Sequence, residues 1–178
     1  TAFIDADVHI SYEKQIKNCT LLIQKDIILD LGFNLELTPN TKIINAKGFK
    51  ICPSFIDIYS NYDQAQPNED NLSNWNSAIK AEYDVINNFR IDKKKSEKLI
   101  ENGFGSINIC NDDGIIRGTS SLLNLSYKKP HNQVLSNKSA LFLSFNKGSS
   151  KTTYPRSLMG AIALIRQTLY DSAGRLSC

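Results

Sequence analysis

Two apolar runs separated by one capped helix constrain this chain more than any other feature. Residues 55–59 (Phe-Ile-Asp-Ile-Tyr) and 104–110 (Phe-Gly-Ser-Ile-Asn-Ile-Cys) are short, rich in Ile and Phe, and bounded by Pro53 and Gly103. Runs of this kind are expected of strands covered on both faces in a parallel sheet. Between them Asp92 is placed to cap a helix through Asn102, Leu99 and Ile100 supply its apolar side, and Gly103 supplies its stop. Strand, helix and strand in this order predict a βαβ unit. Lys93, Lys94 and Lys95 then form the solvated face of the helix.

The pattern on either side of this unit is different. Residues 2–10, 20–24, 27–31, 42–46 and 49–52 read as short strands, each bounded by Asp, Asn, Gly or Pro, and Lys25-Asp26 reads as a two-residue hairpin turn. They predict a small, mostly antiparallel sheet. Residues 61–76 form a polar stretch of Asn, Asp, Gln and Pro that carries the only tryptophan, Trp75. Loops of this length are uncommon inside compact domains and tend to be functional or disordered. Residues 120–127 and 139–145 read as further strands. Pro155 opens an amphipathic helix to about Asp171, with Leu158, Ala161, Ile162, Ile165 and Leu169 on one side.

With 41% hydrophobic residues and a net charge of +3 over 178 residues, the chain can bury enough surface to order itself, and it carries no nucleic-acid footprint. Its longest apolar run, residues 158–165, is interrupted by Gly160 and falls far short of the ~18 to 20 residues of a membrane span. The chain begins at Thr1 with neither methionine nor a charged-then-apolar leader, so a targeting peptide is expected to have been removed or never present. Cys19, Cys52, Cys110 and Cys178 lie tens of residues apart with no Cys-x-x-Cys pair, and they read as free thiols buried in strands.

Few residues carry obvious chemistry. His9 and His131 are the only histidines, and neither has a partner at a useful spacing. Gly103-Phe104-Gly105 precedes a strand instead of following one, so it reads as a helix stop and not as a dinucleotide fingerprint. Residues 148–152, Gly-Ser-Ser-Lys-Thr, lack the first glycine and the Gly-Lys-Ser/Thr ending of a phosphate loop and read as a plain flexible loop.

Residues 43–61, Ile-Ile-Asn-Ala-Lys-Gly-Phe-Lys-Ile-Cys-Pro-Ser-Phe-Ile-Asp-Ile-Tyr-Ser-Asn, resemble the entry into the barrel of the amidohydrolase superfamily. That group includes imidazolonepropionases, dihydroorotases and related deacetylases and deaminases. Its usual form is Ile-Asp-Ala-Lys-Gly, a short strand, then Pro-Gly-Phe-Ile-Asp-x-His-x-His. Residues 103–120 and 154–167 resemble a branch of the same family found in Bacteroidetes-type bacteria. The resemblance implies an α/β fold in which residues 1–52 are the N-terminal part of a small β-sandwich. Residues 53–178 would be the first βα units of an incomplete (β/α)8 TIM-type barrel, since the stretch after Pro53 falls short of the roughly 200 to 250 residues a whole barrel takes.

By the same resemblance, the implied activity is hydrolysis of a non-peptide carbon-nitrogen bond of a small molecule by water on a divalent metal such as zinc. In the family, two histidines two apart on the first barrel strand face the barrel mouth and bind that metal. Here those positions are Tyr59 and Asn61, and Ser54 replaces the family's glycine. A phenol with a pKa near ~10 and an amide are poor substitutes for two imidazoles. No metal cofactor is therefore expected in this chain, and no catalytic residue is assigned. Tyr59 and Asn61 are expected to line the pocket as degenerate metal-site positions, with the 61–76 loop at the ligand-binding face. The family's remaining ligands would lie on later strands, beyond Cys178. Two functions remain: an amidohydrolase-like enzyme, or a non-catalytic scaffold that associates with copies of itself or with an active paralogue. Neither nucleic acid nor a membrane span is expected. The resemblance implies a bacterial protein and leaves periplasm and cytoplasm equally open.

Overall fold

The computed structural model describes residues 1–25, 27–60, 62, 74–90, 92–125 and 134–176. The chain divides into two compact units, Thr1–Ser54 and Phe55–Cys178.

The first unit is one five-stranded sheet built from β1 (Ala2–His9), β2 (Gln15–Gln24), β3 (Ile27–Gly32), β4 (Ile43–Asn45) and β5 (Lys50–Ile51). Its order is β3-β2-β1-β4, with β5 also paired to β1. The long pairings, β1 with β2 and β2 with β3, are antiparallel, as the short turn-bounded runs predict. The short β4 and β5 lie parallel to β1, a pairing that local pattern does not reveal. Lys25 adopts φ 54° between the paired ends Gln24 and Ile27, the positive φ that a two-residue hairpin requires. Strand β2 begins at Gln15, five residues before the expected start, because its polar half still pairs with β1 at Ile16 and Gln15. Ala6, Val8, Cys19, Leu21 and Ala46 form the core of this unit.

The second unit contains β6 (Phe55–Ser60), a 3-10 turn (Val85–Asn88), α1 (Lys93–Glu101), β7 (Phe104–Ile109), β8 (Ile116–Thr119), β9 (Ser121–Asn124), β10 (Val134–Ser136), β11 (Leu141–Leu143) and α2 (Leu158–Leu176). The predicted βαβ unit is present, with β6 and β7 parallel and α1 between them. Asp92 caps α1 by accepting from the N–H groups of Lys94 at 2.9 Å and Lys95 at 3.2 Å. Gly103 follows the helix with φ 88°. After β7 the chain departs from βα repetition: β9 pairs antiparallel with β7 and β10 with β9, giving the order β10-β9-β7-β6. Strands β8 and β11 form a separate antiparallel pair.

Three expectations are corrected here. The run 55–59 is not covered on both faces by the described residues: among them β6 pairs with β7 alone, and Phe55 and Ile58 are 62% and 74% exposed. The expected strand 120–127 is interrupted at Ser120, whose N–H turns to the Ala140 carbonyl and whose hydroxyl meets Ser139. Helix α2 starts at Leu158 and not at Pro155, with Ser157 Oγ accepting from the Gly160 N–H at 3.1 Å, and it continues past Asp171 to Leu176. Its buried stripe is Ala161, Leu164 and partly Ile165, whereas Leu158 and Leu169 stand exposed.

Two apolar clusters hold this unit together. Tyr62, Tyr83, Val85, Ile107, Ile109 and Leu123 pack on one side of the four-stranded sheet, and Ala78, Ile79, Ile115, Ile116, Ala161 and Leu164 join the 78–79 segment to β8 and α2. No helix among the described residues is long and apolar enough to cross a membrane. Overall the described architecture is mixed α/β, with several sheets and two α-helices.

Candidate functional site

Tyr59 stands near the end of β6, half exposed. Alternation along a strand sends it to the same side as Asp57 and opposite to Ser60. Asp57 turns back to accept the Tyr59 N–H at 3.1 Å, while Ser60 is buried and its carbonyl accepts from the N–H of Cys110. The phenol ring packs on Phe142 of β11, centroids 5.7 Å apart. Its hydroxyl accepts a hydrogen bond from Arg117 Nη1 on β8 at 2.7 Å. Arg117 is steadied at its other end by donating from Nε to the Gly114 carbonyl at 3.1 Å. Asn61, the second sequence-predicted position, lies outside the described residues, as do His131 and most of the 61–76 loop.

A polar chain continues from Tyr59 across the sheet. Asn108 donates to the carbonyl of Ile58 at 3.3 Å and accepts from Ser139 Oγ at 2.6 Å, and Ser139 meets the Ser120 hydroxyl at 2.8 Å. Beneath it lies Cys110, whose thiol is pushed up to about 11 mainly by burial; Arg117 opposes this, and Asp112 and Asp57 add to it. A thiol held so high is protonated at neutral pH and is no nucleophile. Cys19 is likewise buried, whereas Cys52 is exposed, contrary to its expected burial.

A second charged cluster sits nearby in the chain, at the 113–117 turn. Lys80 and Asp113 form an ion pair with only 5% and 13% of their side chains exposed. Asp113 also accepts from Ser149, through its N–H and its hydroxyl, each at 2.6 Å. Burial works against ionisation of Asp113, but the hydrogen bonds from Lys80 and Ser149 outweigh it and hold the carboxyl below its ordinary value. The 148–152 loop thus surrounds an anion after all, but one supplied by the chain itself. The N–H groups of Gly148, Ser149 and Ser150 are taken by Asn146, Asp113 and Lys147, so the loop is pinned, where the sequence reads as flexible. Gly148 has φ 60°, and a Cβ there would lie 1.8 Å from Asp113 Oδ1, so glycine is required for this approach.

Sequence reasoning singles out Tyr59 but misses Arg117, which lies 58 residues away and reaches it only through the β8–β11 pair. No local signal marks Arg117, since in sequence it is one basic residue within a Gly-rich turn. Among the described residues no group of three or more His, Cys, Asp or Glu side chains could hold a metal ion.

No protein-family model and no curated protein matches the chain. Among solved structures it is similar to the crystal structure of an amidohydrolase from Thermotoga maritima MSB8, with a TM-score of 0.75 and 16% sequence identity. The match covers 99% of this chain and 48% of that one, so the chain spans about half the length of its structural neighbour. At this identity the likeness is one of fold, and it gives the chain an amidohydrolase-like fold.

Proposed function

We propose that this chain is an amidohydrolase-like scaffold that binds rather than hydrolyses, and that it works as a non-catalytic subunit beside copies of itself or an active paralogue. In this reading residues 1–52 are a partial β-sandwich and residues 53–178 the opening units of a (β/α)8 barrel, with Tyr59 and Asn61 at the positions of the lost metal ligands.

The observation that carries the reading is the 2.7 Å hydrogen bond from Arg117 to the Tyr59 hydroxyl. A metal ligand must turn a lone pair toward the ion. Here the phenol oxygen accepts from a guanidinium, which is permanently charged. A divalent cation at that oxygen would face the like charge of Arg117 at a few ångströms, in surroundings less screening than water. The donor set at Tyr59 does not fit a divalent metal. Without one, water is not acidified at the Tyr59 position, where the resemblance puts the first of the family's metal ligands.

The subunit role is favoured by the apolar surface of the second unit. Phe55, Ile56 and Ile58 of β6, with Leu141, Leu143 and Phe145 at or just after β11, are all exposed, and exposed apolar residues on an edge strand serve association.

The test is the zinc, iron and manganese content of the desalted protein, followed by a zinc titration. Less than about a tenth of an equivalent of metal is expected, with no tight zinc binding. One tightly held equivalent that Tyr59→Phe abolishes would overturn the reading and return the chain to the metal-dependent hydrolases. A native pull-down that recovers no partner, from a chain that is monomeric in solution, would remove the subunit role.

A further inference from the structure

The guanidinium of Arg117 is held by neutral acceptors alone. Nε is spent on the Gly114 carbonyl and one Nη1 N–H on the Tyr59 hydroxyl, two neutral acceptors. Neither ion pair among the described residues involves it. Asp113 is committed to Lys80 and Ser149, and Asp57 and Asp112, whose charges reach the same Cys110 thiol as that of Arg117, form no ion pair with it among the described residues. Nη2 therefore keeps both of its N–H donors without a protein acceptor among the described residues. Arg117 is half buried, so its remaining donors have lost part of their water without gaining an acceptor among the described residues.

We propose that Arg117 is the anchor of a ligand site that takes the carboxylate of a small molecule with a flat apolar body. Three features favour that class. The planar fork of Nη1 and Nη2 matches the two oxygens of a carboxylate. The Tyr59 ring, whose hydroxyl the guanidinium holds, packs on Phe142, and this ring pair offers apolar surface beside Arg117 to whatever the carboxylate carries. Asp57 and Asp112, both close enough to raise the Cys110 thiol, penalise a doubly charged phosphate more than a singly charged carboxylate. Asn108, fixed by the Ile58 carbonyl and Ser139, stands on β7, the strand paired with that of Tyr59. Tyr59 is a positioning residue in this site, since it orients the guanidinium.

This inference rests on the reading that no metal occupies the Tyr59 position, and the two are separable in one experiment. The Arg117 Nε–H resonance of the 15N-labelled full chain, assigned by its loss in Arg117→Lys, is followed during titration with sodium benzoate, sodium acetate, inorganic phosphate and zinc chloride. Benzoate is expected to saturate the shift, acetate to do so several-fold more weakly, and phosphate not to saturate. Arg117→Lys, which keeps the charge and most of the length, should weaken benzoate about ten-fold or more by backbone-amide readout, because an ammonium cannot form the fork. Tyr59→Phe should weaken it several-fold while the Arg117 resonance broadens. Phosphate saturating as tightly as benzoate, no saturation by benzoate in the wild type, or equal benzoate affinity in Arg117→Lys would each overturn the proposal. A saturable zinc shift would overturn the metal-free reading itself, whereas benzoate failing with zinc also silent would overturn this site alone.

Discussion

Two charged clusters in the second unit use opposite solutions to the same electrostatic problem. Lys80 and Asp113 are buried and closed: the cation has its carboxylate, and the carboxylate has Ser149 twice over. Arg117 and Tyr59 are half exposed and open, with a guanidinium resting on a phenol and a carbonyl and no counter-ion among the described residues. The first arrangement leaves nothing for a ligand to do, and its loss exposes an unpaired buried charge. The second is stable enough to persist because water reaches it, and it retains donors that a ligand can take. Burial and completeness therefore separate the residues that hold this unit together from those that can act.

Breaking the closed cluster gives the largest expected effect. Lys80→Met removes the ammonium and leaves the Asp113 carboxylate buried, which should cost about 3 to 5 kcal/mol of unfolding free energy. Chemical denaturation measures it. The double substitution Lys80→Met with Asp113→Leu should recover much of that loss, since a well-packed apolar pair replaces an ion pair at little cost. A single-variant loss below about 1 kcal/mol would place the pair with ordinary surface ion pairs and dissolve the contrast between the clusters.

Gly148→Ala attacks the same cluster through the backbone. The residue sits at φ 60° and its new Cβ would collide with Asp113, so a loss of about 1 to 3 kcal/mol is expected. Gly174→Ala, where a Cβ meets nothing within 4 Å, is the control.

Acid should open the closed cluster more gently. The Asp113 carboxyl lies below its ordinary 3.8 in the folded chain. Its contribution to stability is therefore fully present above the unfolded value and is lost as pH falls through the folded one. Urea midpoints measured from pH 7 downward should show the advantage of the wild type over Asp113→Asn holding to about pH 4 and shrinking below it. An advantage that instead shrinks between pH 7 and 5 would assign it to another group.

How much of this was legible beforehand follows from where each interaction closes. The β6-α1-β7 unit was readable because its signals are local: a cap at Asp92, a stop at Gly103 and two apolar runs. Strands β8 and β10 went unread because each is short and makes sense only against β11 or β9. The exposure of β6 was misjudged for a related reason, since an apolar run states what a strand needs covered and not whether the chain supplies the cover. Tyr59 could be singled out from its place in a motif. Arg117 could not, because the bond that defines it spans 58 residues, and the Lys80–Asp113–Ser149 cluster likewise joins three separate turns.

The smallest effect on stability is expected at the open cluster, and its smallness is what makes it informative. Tyr59→Phe keeps the ring against Phe142 and deletes one oxygen that accepts from Arg117. Water can replace that oxygen because Tyr59 is half exposed, so the loss should stay under about 1 kcal/mol. The guanidinium would still be tied through Nε to Gly114 but free to swing at its Nη end. The chain should therefore melt almost unchanged while Arg117 becomes more mobile, read as faster side-chain relaxation by NMR. A loss comparable to that of Lys80→Met would mean that Tyr59 holds the second unit together, and the open cluster would then have to be reclassified as part of its structure. Little change in either stability or Arg117 mobility would mean that Gly114 alone positions the guanidinium, and the phenol would be left with the single task of walling the site.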